Sequence, residues 1–155
     1  MKRKRFNLFL ALCLIFTLLS PMVSYAATKN VNVSNTPPGS SGDITIQGTG
    51  VPSDFVNLID YGTMDFEGSA SGSNLYLNKG FTGVTRIMVS VQNKHSSTLT
   101  VKLRMKTFLG YDVVDTQTID PGHTLVYSVD NLGSSKNYYL AFAAPSDFKG
   151  YVRSY

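Results

Sequence analysis

Asp60, Asp65 and Glu67 place three carboxylates within residues 60–67, around Gly62 and Gly68. Calcium takes several oxygen ligands from a turning backbone, so these three are the calcium candidate of the chain. Their spacing matches no EF-hand loop, and on a strand Asp65 and Glu67 would share one face and repel. Paired carboxylates also serve glycoside hydrolysis. That chemistry needs two acids facing each other across a cleft, roughly 5–10 Å apart, which local spacing does not supply. Gly68-Ser69-Ala70-Ser71-Gly72 has glycines at both ends, but Ala70 holds the centre that a nucleophile elbow gives to serine. The two histidines, His95 and His123, fall in turn-like stretches without a second ligand at metal spacing. No catalytic residue, resident metal or cofactor is assigned, and the chain is expected not to be an enzyme.

The remaining chemistry is cationic. Arg86, Lys102, Arg104 and Lys106 alternate with apolar residues in the most regular stretch of the sequence, Val84 to Thr107. Ile87, Val89 and Val91 point one way, and Leu99, Val101, Leu103 and Met105 repeat the pattern after Asn93-Lys94-His95-Ser96-Ser97. Period-two alternation broken by a short polar stretch predicts a β-hairpin. Only a register pairing Val91 with Leu99, Val89 with Val101 and Ile87 with Leu103 puts both apolar sets on one face. Arg86 then stands opposite Arg104, with Lys102 and Lys106 beside them. Like charges in direct opposition are unfavourable, so this face is the candidate site for an anionic partner, such as a wall polymer, an acidic glycan or an anionic membrane surface. Surface tyrosines supply a second clue. Tyr139, Tyr151 and Tyr155 are placed by alternation to offer rings to a sugar or a protein.

The elements that carry these residues are strands. Val31 and Val33, Ile44 and Ile46, and Leu75 and Leu77 alternate with polar or aromatic neighbours. Val113 to Ile119 and Thr124 to Val129 are strands joined by Asp120-Pro121-Gly122-His123, a strong turn signal. Tyr138 to Ala144 is apolar nearly throughout and reads as a central strand. Gly150 to Tyr155 makes a short last one. Residues 53–60 fit one helical turn, with Ser53 as cap, or a strand. The polar stretches 34–43 and 67–74 read as loops. Seven to nine short strands with regular turn signals define an all-β, single antiparallel β-sandwich, immunoglobulin-like or jelly-roll-like.

Residues 1–26 set the context. Lys2 to Arg5 form a positive region, Leu8 to Leu19 an apolar run, and Ser24-Tyr25-Ala26 a cleavage-like end. This reads as a secretory signal peptide cut after Ala26. The run is about 12 residues, short of the roughly 20 a membrane span needs, so no span is expected after cleavage. Residues 27–155 then form one domain, with a flexible stretch to about residue 43. They carry ten basic and ten acidic side chains, so the overall basic charge lies in the leader and gives no reason to expect nucleic acid as a partner. Cys13 is the single cysteine and also lies in the leader, which leaves a disulfide-free exported domain of bacterial character. Eight tyrosines and six phenylalanines follow residue 26, a composition suited to strands. The expectation is a secreted β-sandwich that binds at or outside the cell surface, to an anionic wall polymer, a glycan or a surface protein. A self-assembling structural protein is the alternative, and a small secreted hydrolase the third class.

Overall fold

The structure is a computed structural model and describes residues 30–36 and 55–155. The leader, the Ile44–Ile46 alternation and most of the 34–43 stretch lie outside the described residues. The described chain forms two stacked β-sheets, as the alternation requires. Strands β1 (Val33–Ser34) and β2 (Phe55–Asn57) lead into a single helical turn, α1 (Leu58–Tyr61). They are followed by β3 (Thr63–Ala70), β4 (Leu75–Leu77), β5 (Gly80–Thr82) and β6 (Ile87–Asn93). The last five are β7 (Leu99–Thr107), β8 (Gly110–Ile119), β9 (Thr124–Val129), β10 (Tyr138–Phe142) and β11 (Ser146–Ser154). Among the described residues the count is eleven rather than seven to nine: β1 and β4 fall at the Val31–Val33 and Leu75–Leu77 alternations, while β3 and the three-residue β2 and β5 are additional. Stretch 67–74 is also half strand, since β3 runs to Ala70. The helical turn is capped not by Ser53 but by Asn57, whose side chain accepts from the Ile59 amide at 3.0 Å.

One sheet has four antiparallel strands in the order β3-β11-β6-β9. The other has seven. β8 pairs with β7, β7 with β10, and the far edge of β10 is shared by β4, which continues to β1, and β5, which continues to β2. The β2–β5 contact is parallel, the exception in an otherwise antiparallel fold. β10 is buried at every position, in keeping with its central place.

The expected hairpin between residues 87 and 107 does not form. β6 lies in the four-stranded sheet between β11 and β9, and Val91 pairs with Gly150 and Leu125. β7 lies in the other sheet between β10 and β8, and Leu99 pairs with Ile119. The connecting residues cross between the layers. Both arrangements send the two apolar sets into the same core, so alternation fits each equally well. Ile87, Val89 and Val91 face inward from one sheet and Leu99, Val101 and Leu103 from the other, all fully buried.

Asn93 fixes the crossover. Its side chain is fully buried. Its Nδ2 donates to the carbonyls of Ser97 at 2.8 Å and Ile119 at 2.9 Å, and its Oδ1 accepts from the His95 amide at 2.9 Å. Its backbone N–H donates to His123 O at 2.9 Å, and its carbonyl accepts from Gly122 N at 3.0 Å. The crossover is thereby tied to the β8–β9 turn. Gly122 in that turn takes φ of 74°, and His123 N donates to Asp120 O at 3.1 Å, as the Asp-Pro-Gly-His signal predicts.

Between the layers, Phe66 and Phe148 from one sheet meet Phe142 from the other. Phe142 and Phe148 stack with centroids 3.9 Å apart, and Phe66 tilts against Phe142 at 5.2 Å. Such pairs add about 0.5–1.5 kcal/mol each beyond area burial.

Candidate functional site

The outward positions of the four-stranded sheet converge on an open cleft. Residues of odd number face out from β3 and β11, and those of even number from β6 and β9. Two cross-strand rows result. In one, Tyr151 pairs with Asp65 on one side and Ser90 on the other. In the next, Lys149 pairs with Glu67 and Gln92, and Gln92 pairs with Thr124. Val31 closes the rim through a bridge to Glu67. These residues line a cavity of about 460 Å³.

Gly150 permits the close packing under this floor. A Cβ built there would come within 2.0 Å of the Ser90 carbonyl and 2.9 Å of the Phe66 ring. Lys94 orders one end of the cleft. Its Nζ lies 2.7 Å from Glu67 Oε1 and 3.3 Å from Asp147 Oδ1. The hydrogen bond and charge of Lys94 hold the Glu67 carboxyl below the usual range, and the bond to Glu67 holds the Lys94 ammonium above its own. The Arg153 guanidinium sits 5.9 Å from the Tyr151 ring centroid.

The three calcium candidates are not brought together. Asp65 and Glu67 share the outer face of β3 as expected, but Glu67 is engaged by Lys94, and Asp60 belongs to α1. Among the described residues no group of three His, Cys, Asp or Glu side chains is placed to hold a metal ion. His95 Nδ1 accepts from the Ser97 amide at 3.0 Å, and His123 Nδ1 lies 3.0 Å from Pro121 O. Both rings thus serve their own turns.

The basic set is divided between the sheets. Lys102, Arg104 and Lys106 lie on β7, in the seven-stranded sheet. Arg86 precedes β6 in the other sheet, where it forms an ion pair with Asp130 and lies 5.2 Å from the Tyr155 ring. Arg86 therefore never opposes Arg104, whose cross-strand neighbours are Tyr139 and Val113. Arg104 is also buried, not solvated. Its guanidinium lies 4.1 Å from the centroid of Tyr111 and 5.8 Å from that of Tyr76. Its Nε and Nη1 have no hydrogen-bond partner among the described residues, and the ring faces take over that stabilising role. Tyr139, expected at the surface, is buried in the same cluster, edge-on to Tyr76 and Tyr111. Burial pushes its phenol up, against the opposing pull of Arg104. Lys106 Nζ lies 5.3 Å from the Phe55 ring.

Of the tyrosines singled out by alternation, Tyr151 is the one that enters the cleft. Ser90, Gln92, Thr124 and Lys149 are unremarked in the sequence, because they come from three strands whose register no local pattern fixes. The signal available was the outward half of each alternating segment, read after strand order is known.

No protein-family profile matches the chain, and no curated protein matches it. Among solved structures, the chain is similar to PirA at 13% identity, covering 60% of this chain and 93% of that one, with a TM-score of 0.42. It is similar to a glycoside hydrolase family 43 arabinoxylan arabinofuranohydrolase from Bacillus subtilis at 10% identity, with 57% and 20% coverage and a TM-score of 0.37. A carbohydrate-binding module of family 29 gives 15% identity, 59% and 67% coverage, and a TM-score of 0.35. Likeness of this degree leaves the site to be read from its own residues.

Proposed function

We propose that this protein is a secreted, non-enzymatic β-sandwich that binds a neutral glycan chain along the open face of its four-stranded sheet. The observation that carries the reading is Tyr151, set in a shallow cleft between rows of hydrogen-bonding side chains. A phenol ring offers an apolar plane for the C–H face of a sugar, and its rim of Asp65, Ser90, Gln92 and Thr124 offers acceptors and donors for hydroxyls. The cleft sets Asp65 and Glu67 against Lys149 and, at its end, Lys94, a balance that suits an uncharged ligand better than an anionic polymer. The leader-like residues 1–26 support export.

The carboxylates favour binding over hydrolysis. Asp65 and Glu67 stand on the same strand face, not across the cleft from each other. Glu67 is also held below the ordinary carboxylate range, whereas a general acid must be raised.

The test is calorimetric titration against a panel of soluble neutral and acidic polysaccharides. Binding to a neutral polymer is expected, with little dependence on salt. Tyr151→Ala should weaken it about tenfold, the equivalent of losing ~1.4 kcal/mol of stacking. Binding confined to acidic polymers, abolished by salt and indifferent to Tyr151→Ala, would refute the proposal.

A further inference from the structure

The β7–β8 hairpin carries an anomaly that neither the core nor the cleft uses. Thr107 pairs with Gly110, so Phe108 and Leu109 form its two-residue apex. Phe108 is 100% exposed and Leu109 93%. Two-residue hairpin loops favour Asn and Gly for their positive φ, yet neither apex residue takes a positive φ. Turn geometry therefore does not call for these side chains, and packing does not either. Leaving two large apolar groups fully in water is unfavourable in proportion to their area.

Away from the apex the side chains become polar and charged. The second rung pairs Lys106 with Tyr111, which is half exposed, the third pairs Met105 with the exposed Asp112, and the fourth pairs Arg104 with Val113. The rung of Lys106 and Tyr111 lies about 7 Å below the apex at ~3.4 Å per residue. That depth falls within the ~5–10 Å to which interfacial elements sink into a bilayer. Tyrosine and lysine are amphipathic side chains that settle at a membrane–water boundary, ring or stem inward and polar end outward. Behind the apex the facing backbone groups of β7 and β8 satisfy each other, so only the outer edge of β8 has groups to keep in contact with water or headgroups.

From this arrangement we infer that the Phe108–Leu109 apex is a membrane-contact point that embeds in the interfacial layer of a lipid bilayer. A protein partner is the poorer fit on area. The two side chains offer roughly 300–350 Å², and the part-exposed Tyr111, Val113 and Val114 of β8 add less than that again, short of the about 800 Å² a stable protein interface takes from each partner. A bilayer needs no complementary pocket and takes each side chain separately. The inference is independent of the glycan reading, which uses the other sheet.

The chain contains no tryptophan, so Phe108→Trp installs a single reporter at the apex without touching the core. Lipid vesicles of phosphatidylcholine, alone or with phosphatidylglycerol, should shift its emission to the blue, and lipids brominated near the headgroup should quench it. The shift should persist on zwitterionic vesicles in high salt. Adding Leu109→Ser should raise the lipid concentration at half-shift about five- to tenfold. A reporter at Val126, exposed on the four-stranded sheet, should not move. Because the readout is local to the apex, membrane binding through the leader does not imitate it. An apex signal indifferent to lipid, one moved equally with Val126→Trp, one needing anionic lipid and lost in salt, or one shifted by protein concentration alone would overturn the inference.

Discussion

Replacing Asn93 with alanine tests what separates a crossover from a hairpin. The substitution leaves the Ser97 and Ile119 carbonyls without the amide that now lies within 2.8–2.9 Å, while the His95 N–H loses Asn93 Oδ1 but keeps the Asp147 carbonyl at 3.1 Å. A net intramolecular hydrogen bond stabilises by about 0.5–1.5 kcal/mol, and a buried group left unpaired costs about 1–3 kcal/mol. Partial entry of water into the space lowers the sum, so the expected loss is about 3 kcal/mol. For a domain of this size that corresponds to a melting midpoint lowered by roughly 10–15 °C. Asn93→Asp sharpens the test, because it keeps the shape but turns two donors into a carboxylate oxygen facing carbonyls. Burial there holds the folded-state pKa above the unfolded value. The variant's stability is therefore greatest below the unfolded pKa and falls as pH rises through the folded one. Urea denaturation followed by circular dichroism, at neutral and acid pH, measures both variants. An alanine variant that loses less than about 1 kcal/mol with an unchanged m-value would show that the network does not hold the crossover.

Three further outcomes follow from the same geometry. Gly150→Ala should destabilise by about 2 kcal/mol or more in urea unfolding, because its Cβ would meet the Ser90 carbonyl at 2.0 Å; a neutral result would mean that β11 and β6 separate without cost. In Lys94→Met, the carboxyl of Glu67 should titrate higher than in the parent protein by NMR, since Lys94 supplies its largest lowering influence; in the parent, the contribution of the pair exists above the ordinary carboxylate pKa and is lost as pH falls through the depressed one, and an unmoved midpoint in the variant would show that another cation holds Glu67. Tyr127, whose buried hydroxyl has no partner among the described residues, is raised well above the ordinary phenol range first by burial and then by Asp115, so stability should fall as pH rises past about 10. Tyr127→Phe should remove that slope in alkaline denaturation at little or no cost near neutrality, and a slope left intact would assign it to other groups.

Much of the architecture was legible in the alternation. The inward sets of β6 and β7, the buried run of β10, the Pro-Gly turn and the strands on either side of it all follow from period two and turn chemistry. Pairing was not legible, because Ile87-Val89-Val91 and Leu99-Val101-Leu103 reach a common core either side by side or across the sandwich. That ambiguity decided the fate of the basic set. Side by side, Arg86 and Arg104 share a face; across the layers, they belong to opposite surfaces. The burial of Arg104 was equally hidden, since its cover comes from Tyr76, Tyr111 and Tyr139, on three other strands. The cleft was half visible. Asp65 and Glu67 were noted together and Tyr151 apart from them, but only the order β3-β11-β6 sets the three beside Ser90, Gln92 and Lys149.

The position of β11 has a consequence for how this chain comes into being. β11 follows the other ten described strands in the chain, yet it lies in the interior of its sheet, hydrogen-bonded to β3 on one flank and β6 on the other. Until residues 146–154 have emerged, those two strands have no common neighbour and Phe142 lacks its stacking partner Phe148. The sandwich therefore closes only once β11 has inserted between two strands that come well before it in the chain.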